Sequence, residues 1–273
     1  MNNLQERKQL AETVCGKMVF FSCICDVRDY TPTNTKLSVL CVSDFTSDQI
    51  IRTSINSKLK HIIQDGRQPL SEKLSFIKRL DSNYMDFYKN DFKILAESES
   101  VKEFRYDRLY PKNKVCEEVF EYLGLKINSN RAQPLKMCIY ELFMNAQMAA
   151  EKFKEQKDTT IISVLVERHG KLISLSVHDH AGQLPFEKVL NKLEKTAELG
   201  FSDSIYMGNG GAGIGLSLVY NYSETFIMAS DIMAGTKMTV ILPIDQNPEM
   251  LISNPKSFHI IQNLIKFKGN SYV

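Results

Sequence analysis

Three short stretches carry residue types and spacings that could do chemistry. In Glu141-Leu142-Phe143-Met144-Asn145-Ala146, a carboxylate and an amide stand four residues apart, so on a helix both project from one face and can meet one ligand. The same spacing also fits a solvated helix edge. In Val177-His178-Asp179-His180-Ala181-Gly182-Gln183-Leu184-Pro185, an acid closes an apolar run and small residues follow. There the backbone can approach a ligand and the carboxylate can accept from an amino group, or simply form an Asx turn. His178 and His180 alternate to the opposite side of the strand from Asp179. A metal site needs convergent ligands, so both are read as surface histidines.

The third stretch, Gly208-Asn209-Gly210-Gly211-Ala212-Gly213-Ile214-Gly215-Leu216, is the densest glycine run and opens a helix. Backbone N–H groups at a helix start attract anions, and glycines let phosphates come close. A flexible turn has the same composition. The run lacks the Lys-Ser or Lys-Thr of a P-loop, and it does not follow a strand as a dinucleotide-binding loop does.

These stretches need elements to position them. Leu135, Cys138, Ile139, Leu142, Ala146 and Ala149 recur at helical spacing behind Asn128-Ser129-Asn130, which supplies capping-type residues. Alternating β-branched runs at 161–167 and 171–177, split by Arg168-His169-Gly170, predict a hairpin ending at Asp179. Further strands are expected at 101–106, 225–229 and 237–242, and helices at 113–123, 186–198 (ended by Gly200) and 214–222. Helices grouped against a mostly antiparallel sheet give an α+β sandwich over 99–246.

The preceding residues, 1–98, read as a separate module, strands first and helices after. Runs at 17–25 and 36–42 are β-rich, while Ile50, Ile51, Ile55, Leu59 and Ile62, then Leu74, Ile77, Leu80, Tyr84 and Tyr88, suit a helical hairpin broken at 66–69. Residues 247–273 read as an accessory tail whose apolar face, at 257–268, fits strand and helix alike.

The chain of 273 residues is 43% apolar, and its 34 basic and 32 acidic side chains leave a net charge of +2. No single-sign field points to nucleic acid or a membrane. The first residues lack the pattern of a secretory signal and no apolar stretch reaches membrane-spanning length, so a cytoplasmic location is expected. The six cysteines lie in apolar runs, as reduced thiols in a core do, and Cys23-Ile24-Cys25 reads as a buried pair in preference to a metal or redox pair.

The order of the motifs resembles the histidine-kinase-like (GHKL) ATPases. Glu141–Ala146 is similar to their Asn-bearing helix, Asp179–Gly182 to their adenine-binding acid and turn, and Gly211–Leu216 to their G-x-G-x-G-L lid. Gly235-Thr236-Lys237-Met238-Thr239-Val240-Ile241-Leu242-Pro243 is similar to their closing strand. The likeness spans about half the chain, and the arrangement is most similar to the bacterial anti-sigma-factor serine kinases.

That resemblance implies a Bergerat-type ATP-binding fold, with ATP and Mg²⁺ as ligands. By it, Asp179 binds the adenine amino group with Thr236 in support and with Ala181 and Gly182 forming the turn. Asn145 holds Mg²⁺, Glu141 is the general base, and Gly211, Gly213, Gly215 and Leu216 line the phosphates. It implies a serine/threonine kinase acting on a protein partner: a sigma factor, an anti-anti-sigma factor or another regulator. Direct contact with nucleic acid or membrane is not expected, and a homodimer fits the pattern. Two other readings stay open, an ATP-gated interaction module without turnover and a degenerate sensor histidine kinase. Gln64-Asp65-Gly66-Arg67-Gln68-Pro69-Leu70 resembles the phosphoacceptor box of the latter, but with Gln64 in the histidine position and His61 nearby as a surface residue. Gln147-Met148-Ala149 lacks the Lys or His that many GHKL members carry, and Ala181 replaces a glycine. The first departure removes one expected phosphate contact.

Overall fold

The structure, a computed structural model, describes residues 18–20, 39–42, 45–57, 60–64, 66–89, 91–153, 161–206 and 214–262. Among them runs one mixed sheet: β1 (Met18–Phe20), β2 (Val39–Val42), β3 (His61–Gln64), β4 (Ser100–Asp107), β5 (Ile161–His169), β6 (Leu172–Asp179), β7 (Thr225–Asp231), β8 (Gly235–Pro243) and β9 (Ser257–Gln262). Its spatial order is β1-β2-β3-β9-β7-β8-β6-β5-β4. From β7 through β8, β6 and β5 to β4 every pairing is antiparallel, whereas β1, β2 and β3 are mutually parallel. The strand β9 joins the two sets, antiparallel to β3 and parallel to β7.

The helices are α1 (Ser47–Ser57), α2 (Leu70–Ser82), α3 (Lys112–Leu123), α4 (Gln133–Lys152), α5 (Phe186–Tyr206), α6 (Ile214–Tyr222) and α7 (Pro248–Ile252). The protein is a mixed α+β fold, and both faces of the central strands of its sheet are covered. On the front, Leu135, Cys138, Ile139, Leu142 and Phe143 of α4 pack with Val164, Leu175, Phe226 and Val240, and the same core takes in Ile50, Ile62 and Phe258. On the back, Leu74, Phe76 and Ile77 of α2 and Phe87, Phe92, Ile94 and Leu95 pack on Ile63, Ile227, Ile241 and Ile261. Neighbours in one strand therefore serve opposite cores, as the period of two demands. Hydrophobic contact thus runs unbroken from β3 to β5, across the position expected to separate two modules.

Several expectations change. Residues 61–64 form a strand, not part of a helical hairpin, and all four are buried. Gln64 donates from Nε2 to the Phe45 carbonyl and accepts from the Lys256 N–H. His61, expected at the surface, is buried with its Nδ1 3.2 Å from Nδ1 of His259. The helix α5 does not stop at Gly200 but continues to Tyr206. The tail contributes β9, a strand with neighbours on both sides. Cys116 and Cys138 are buried free thiols, while Cys23 and Cys25 lie outside the described residues. No helix among the described residues is long and apolar enough to cross a membrane.

Candidate functional site

Helix α4 lies on the front of the sheet with Leu142 and Ala146 buried beneath it, which turns Asn145 toward a cavity of about 310 Å³. The opposite wall comes from the end of β6 (Val177, Asp179), the start of β8 (Thr236, Met238) and the segment Gln183-Leu184-Pro185, and α6 adds Leu216. Asp179 and Thr236 are direct partners across β6 and β8, so register alone sets them side by side. Asn145, Asp179, Leu216 and Thr236, which the motifs singled out from four separate stretches, line this one cavity.

Tight backbone contacts shape the floor. Gly182 has φ +64°, and a Cβ on it would stand 2.4 Å from the Asp231 carbonyl. Gly235 has φ +107°, and its Cβ would stand 2.1 Å from the carbonyl of Asp179. Any side chain at either place would push the acid turn off the hairpin behind it. Asp179 is 4% exposed, and its Oδ1 accepts from the Ala181 N–H at 2.9 Å. Burial pushes its carboxyl up to about 7, against the pull of that hydrogen bond.

The amide of Asn145 is the second unspent polar group. Its Nδ2 is shut off from solvent and has no hydrogen-bond partner among the described residues. The amide oxygen of the same group is an oxygen ligand of the kind Mg²⁺ takes singly, with its other ligands from phosphate and water. Among the described residues no cluster of three His, Cys, Asp or Glu side chains could hold a metal by itself.

Glu141 lies one turn before Asn145, outside the cavity lining, with its carboxylate against Gly215 at the start of α6. A Cβ on Gly215 would fall 1.8 Å from Oε2. Burial raises its pKa, with Lys112 acting against that shift. Ala181 and Gly182 are buried in the acid turn. Gly211 and Gly213 lie outside the described residues.

Three cavity-lining lysines, Lys152, Lys188 and Lys192, escaped the motif reading. Their signal was periodic. Lys152 stands two turns beyond Asn145, and Lys188 and Lys192 are one turn apart on α5. His178, expected at the surface, is buried on the back of the sheet, where Nε2 donates to the Ala234 carbonyl at 2.8 Å and burial holds its pKa near 4. No protein-family model matches the chain, and no curated protein is similar to it.

Proposed function

We propose that the protein binds Mg²⁺ and ATP in this cavity, on a Bergerat-type fold formed by β4–β8 and α3–α6, and that it is a signalling kinase for a serine or threonine of a partner protein. The observation that carries the reading is the convergence of Asn145, Asp179, Thr236 and Leu216 on one apolar cavity. A purine suits it: Leu142, Val177, Leu184, Val189 and Met238 supply apolar walls, and a few placed polar groups set orientation. Asp179 accepts the exocyclic amino hydrogen and Thr236 stands beside it. Asn145 would hold Mg²⁺ through its amide oxygen, and the ion, when bound, neutralises charge on the phosphates. Lys152, Lys188 and Lys192 add positive charge that the segment after Asn145 lacks. Glu141 accepts the proton of the attacking hydroxyl.

Glu141→Ala tests the chemistry. Nucleotide affinity is expected to stay within a few-fold while transfer of labelled phosphate falls by roughly two to four orders of magnitude. Transfer at the parental rate would remove Glu141 from the mechanism. The packing of its carboxylate against Gly215 favours a second reading, an ATP-gated interaction module. That reading wins if ATP binds yet no label reaches the protein itself, a sigma factor, an anti-anti-sigma factor or any other protein in a lysate. The degenerate sensor histidine kinase draws no support from residues 61–70, whose Gln64 is tied into a buried strand.

A further inference from the structure

Behind the acid turn, the sheet holds a second layer of contacts that the nucleotide does not touch. β7 ends at Asp231, and residues 232–234 turn the chain into β8. Asp231 is buried, and its Oδ1 accepts from the N–H groups of Met233 (2.7 Å) and Ala234 (3.0 Å). One oxygen thus folds the turn. The carbonyl of Asp231 fills the place where Gly182 would carry a side chain, and the carbonyl of Asp179 does the same at Gly235. Ser230 Oγ accepts from the Leu184 N–H at 3.2 Å. The hairpin turn and the acid turn therefore interlock backbone to backbone, so a shift of one carries the other.

The hairpin turn is held in its own place from the N-terminal part of the chain. The 3-10 turn Tyr84–Tyr88 follows α2, and Asn83 Oδ1 caps it by accepting from the Met85 N–H. Tyr84 donates its hydroxyl to Asp231 Oδ2 at 3.4 Å. The Tyr88 ring lies 5.9 Å from the ring of His178, the residue that donates to the Ala234 carbonyl. Lys237 Nζ, next to Thr236 in sequence, donates to the Phe87 carbonyl at 2.7 Å and anchors the 3-10 turn to β8.

We infer that Asp231 and Tyr84 are positioning residues for Asp179: the 3-10 turn presses the 232–234 hairpin against Gly182 and so fixes the carboxylate that selects an amino-bearing purine. This deepens the nucleotide reading and rests on it. The consequence is that residues outside the cavity set base selectivity, and that a partner moving the 84–88 segment would change what the cavity accepts.

The test compares ATP with ITP, which has the same triphosphate but carries an oxo group where adenine has its amino group. Wild-type protein is expected to prefer ATP by roughly ten- to hundred-fold, the range for a hydrogen bond to a charged acceptor. Asp231→Ala removes both caps and should collapse the ratio to within about three-fold. Asp231→Asn keeps an oxygen for Met233 and Ala234 and should restore most of it. Tyr84→Phe should lower the ratio several-fold with an unchanged melting temperature, and it serves if the alanine variant fails to fold. General damage to the cavity would weaken both nucleotides alike and leave the ratio standing. A wild-type protein that binds neither nucleotide sinks the nucleotide reading itself, and one that binds both equally sinks base recognition by Asp179 and the positioning role with it. A wild-type preference that survives in Asp231→Ala, or in Tyr84→Phe where the alanine variant does not fold, sinks only the positioning role.

Discussion

The two faces of the sheet each bury a carboxylate, Glu167 behind and Asp179 in front, in different surroundings. On the back, Lys237 is 2% exposed and gives its ammonium to the Phe87 carbonyl, while Glu167, fully buried, accepts from the Ile94 and Leu95 N–H groups at 2.9 to 3.1 Å. On the front, the amide nitrogen of Asn145 has no partner among the described residues, and Asp179 receives one backbone N–H. A buried carboxylate held by several N–H donors serves the structure, and one with acceptor capacity to spare on a cavity wall is available to a donor from outside.

The largest effect should come from removing Glu167, the more fully matched of the two. Glu167→Ala leaves the Ile94 and Leu95 N–H groups open and removes a carboxylate whose charge supports that of Lys237. A loss of about 2–6 kcal/mol is expected in urea unfolding, from about 1–3 kcal/mol for each buried N–H left without a partner. A loss below about 1 kcal/mol would mean that the two carboxylates do not differ in this way.

Asp179→Ala makes the opposite pattern visible. Unfolding should change little, because the residue has one internal hydrogen bond and its charge is disfavoured where it stands. Raised from 3.8 to about 7, the carboxyl makes the native state hold a proton longer than the unfolded chain does. Its contribution to stability therefore falls as pH rises from about 4 to about 7, and above that window the alanine variant should be as stable as the parent or more so. Calorimetric titration should meanwhile show no measurable ATP binding. Unchanged affinity would show that the base lies elsewhere.

The smallest effect is a pH dependence of the intact site. A ligand that donates to Asp179 binds the ionised form, so the preference for ATP over ITP should rise with pH up to about 7 and level off above it. The slope below should be roughly tenfold per pH unit at most, and the phosphate ionisations shared by both nucleotides cancel. A flat ratio between pH 5.5 and 8 would remove Asp179 from base recognition.

Much of the front face was legible in the sequence, because its signals are local. The stripe through Leu135, Cys138, Ile139 and Leu142 places Asn145, and the alternation of β5 and β6 places Asp179. What the sequence hid is what tertiary packing decides. His61-Ile62-Ile63-Gln64 is buried on both faces, so no alternation marks it as a strand, and Ile62 extends a helical spacing by coincidence. His178 reads as a surface residue until the Ala234 carbonyl and the Tyr88 ring supply its surroundings. The contacts of Asp231 with Gly182 and Tyr84 join parts of the chain that no short-range pattern links.

The place of β9 has a consequence in time. His61 and His259 touch across β3 and β9 although 198 residues separate them, and no strand made earlier can stand between β3 and β7. During synthesis β3 and β7 present bare edges to each other until residues 257–262 arrive. Closure over so long a loop is slow, and open edges invite pairing with other chains. The nascent protein should therefore be most prone to aggregate, and most in need of a chaperone, in the interval when its front cavity is nearly built and its sheet still lacks one central strand.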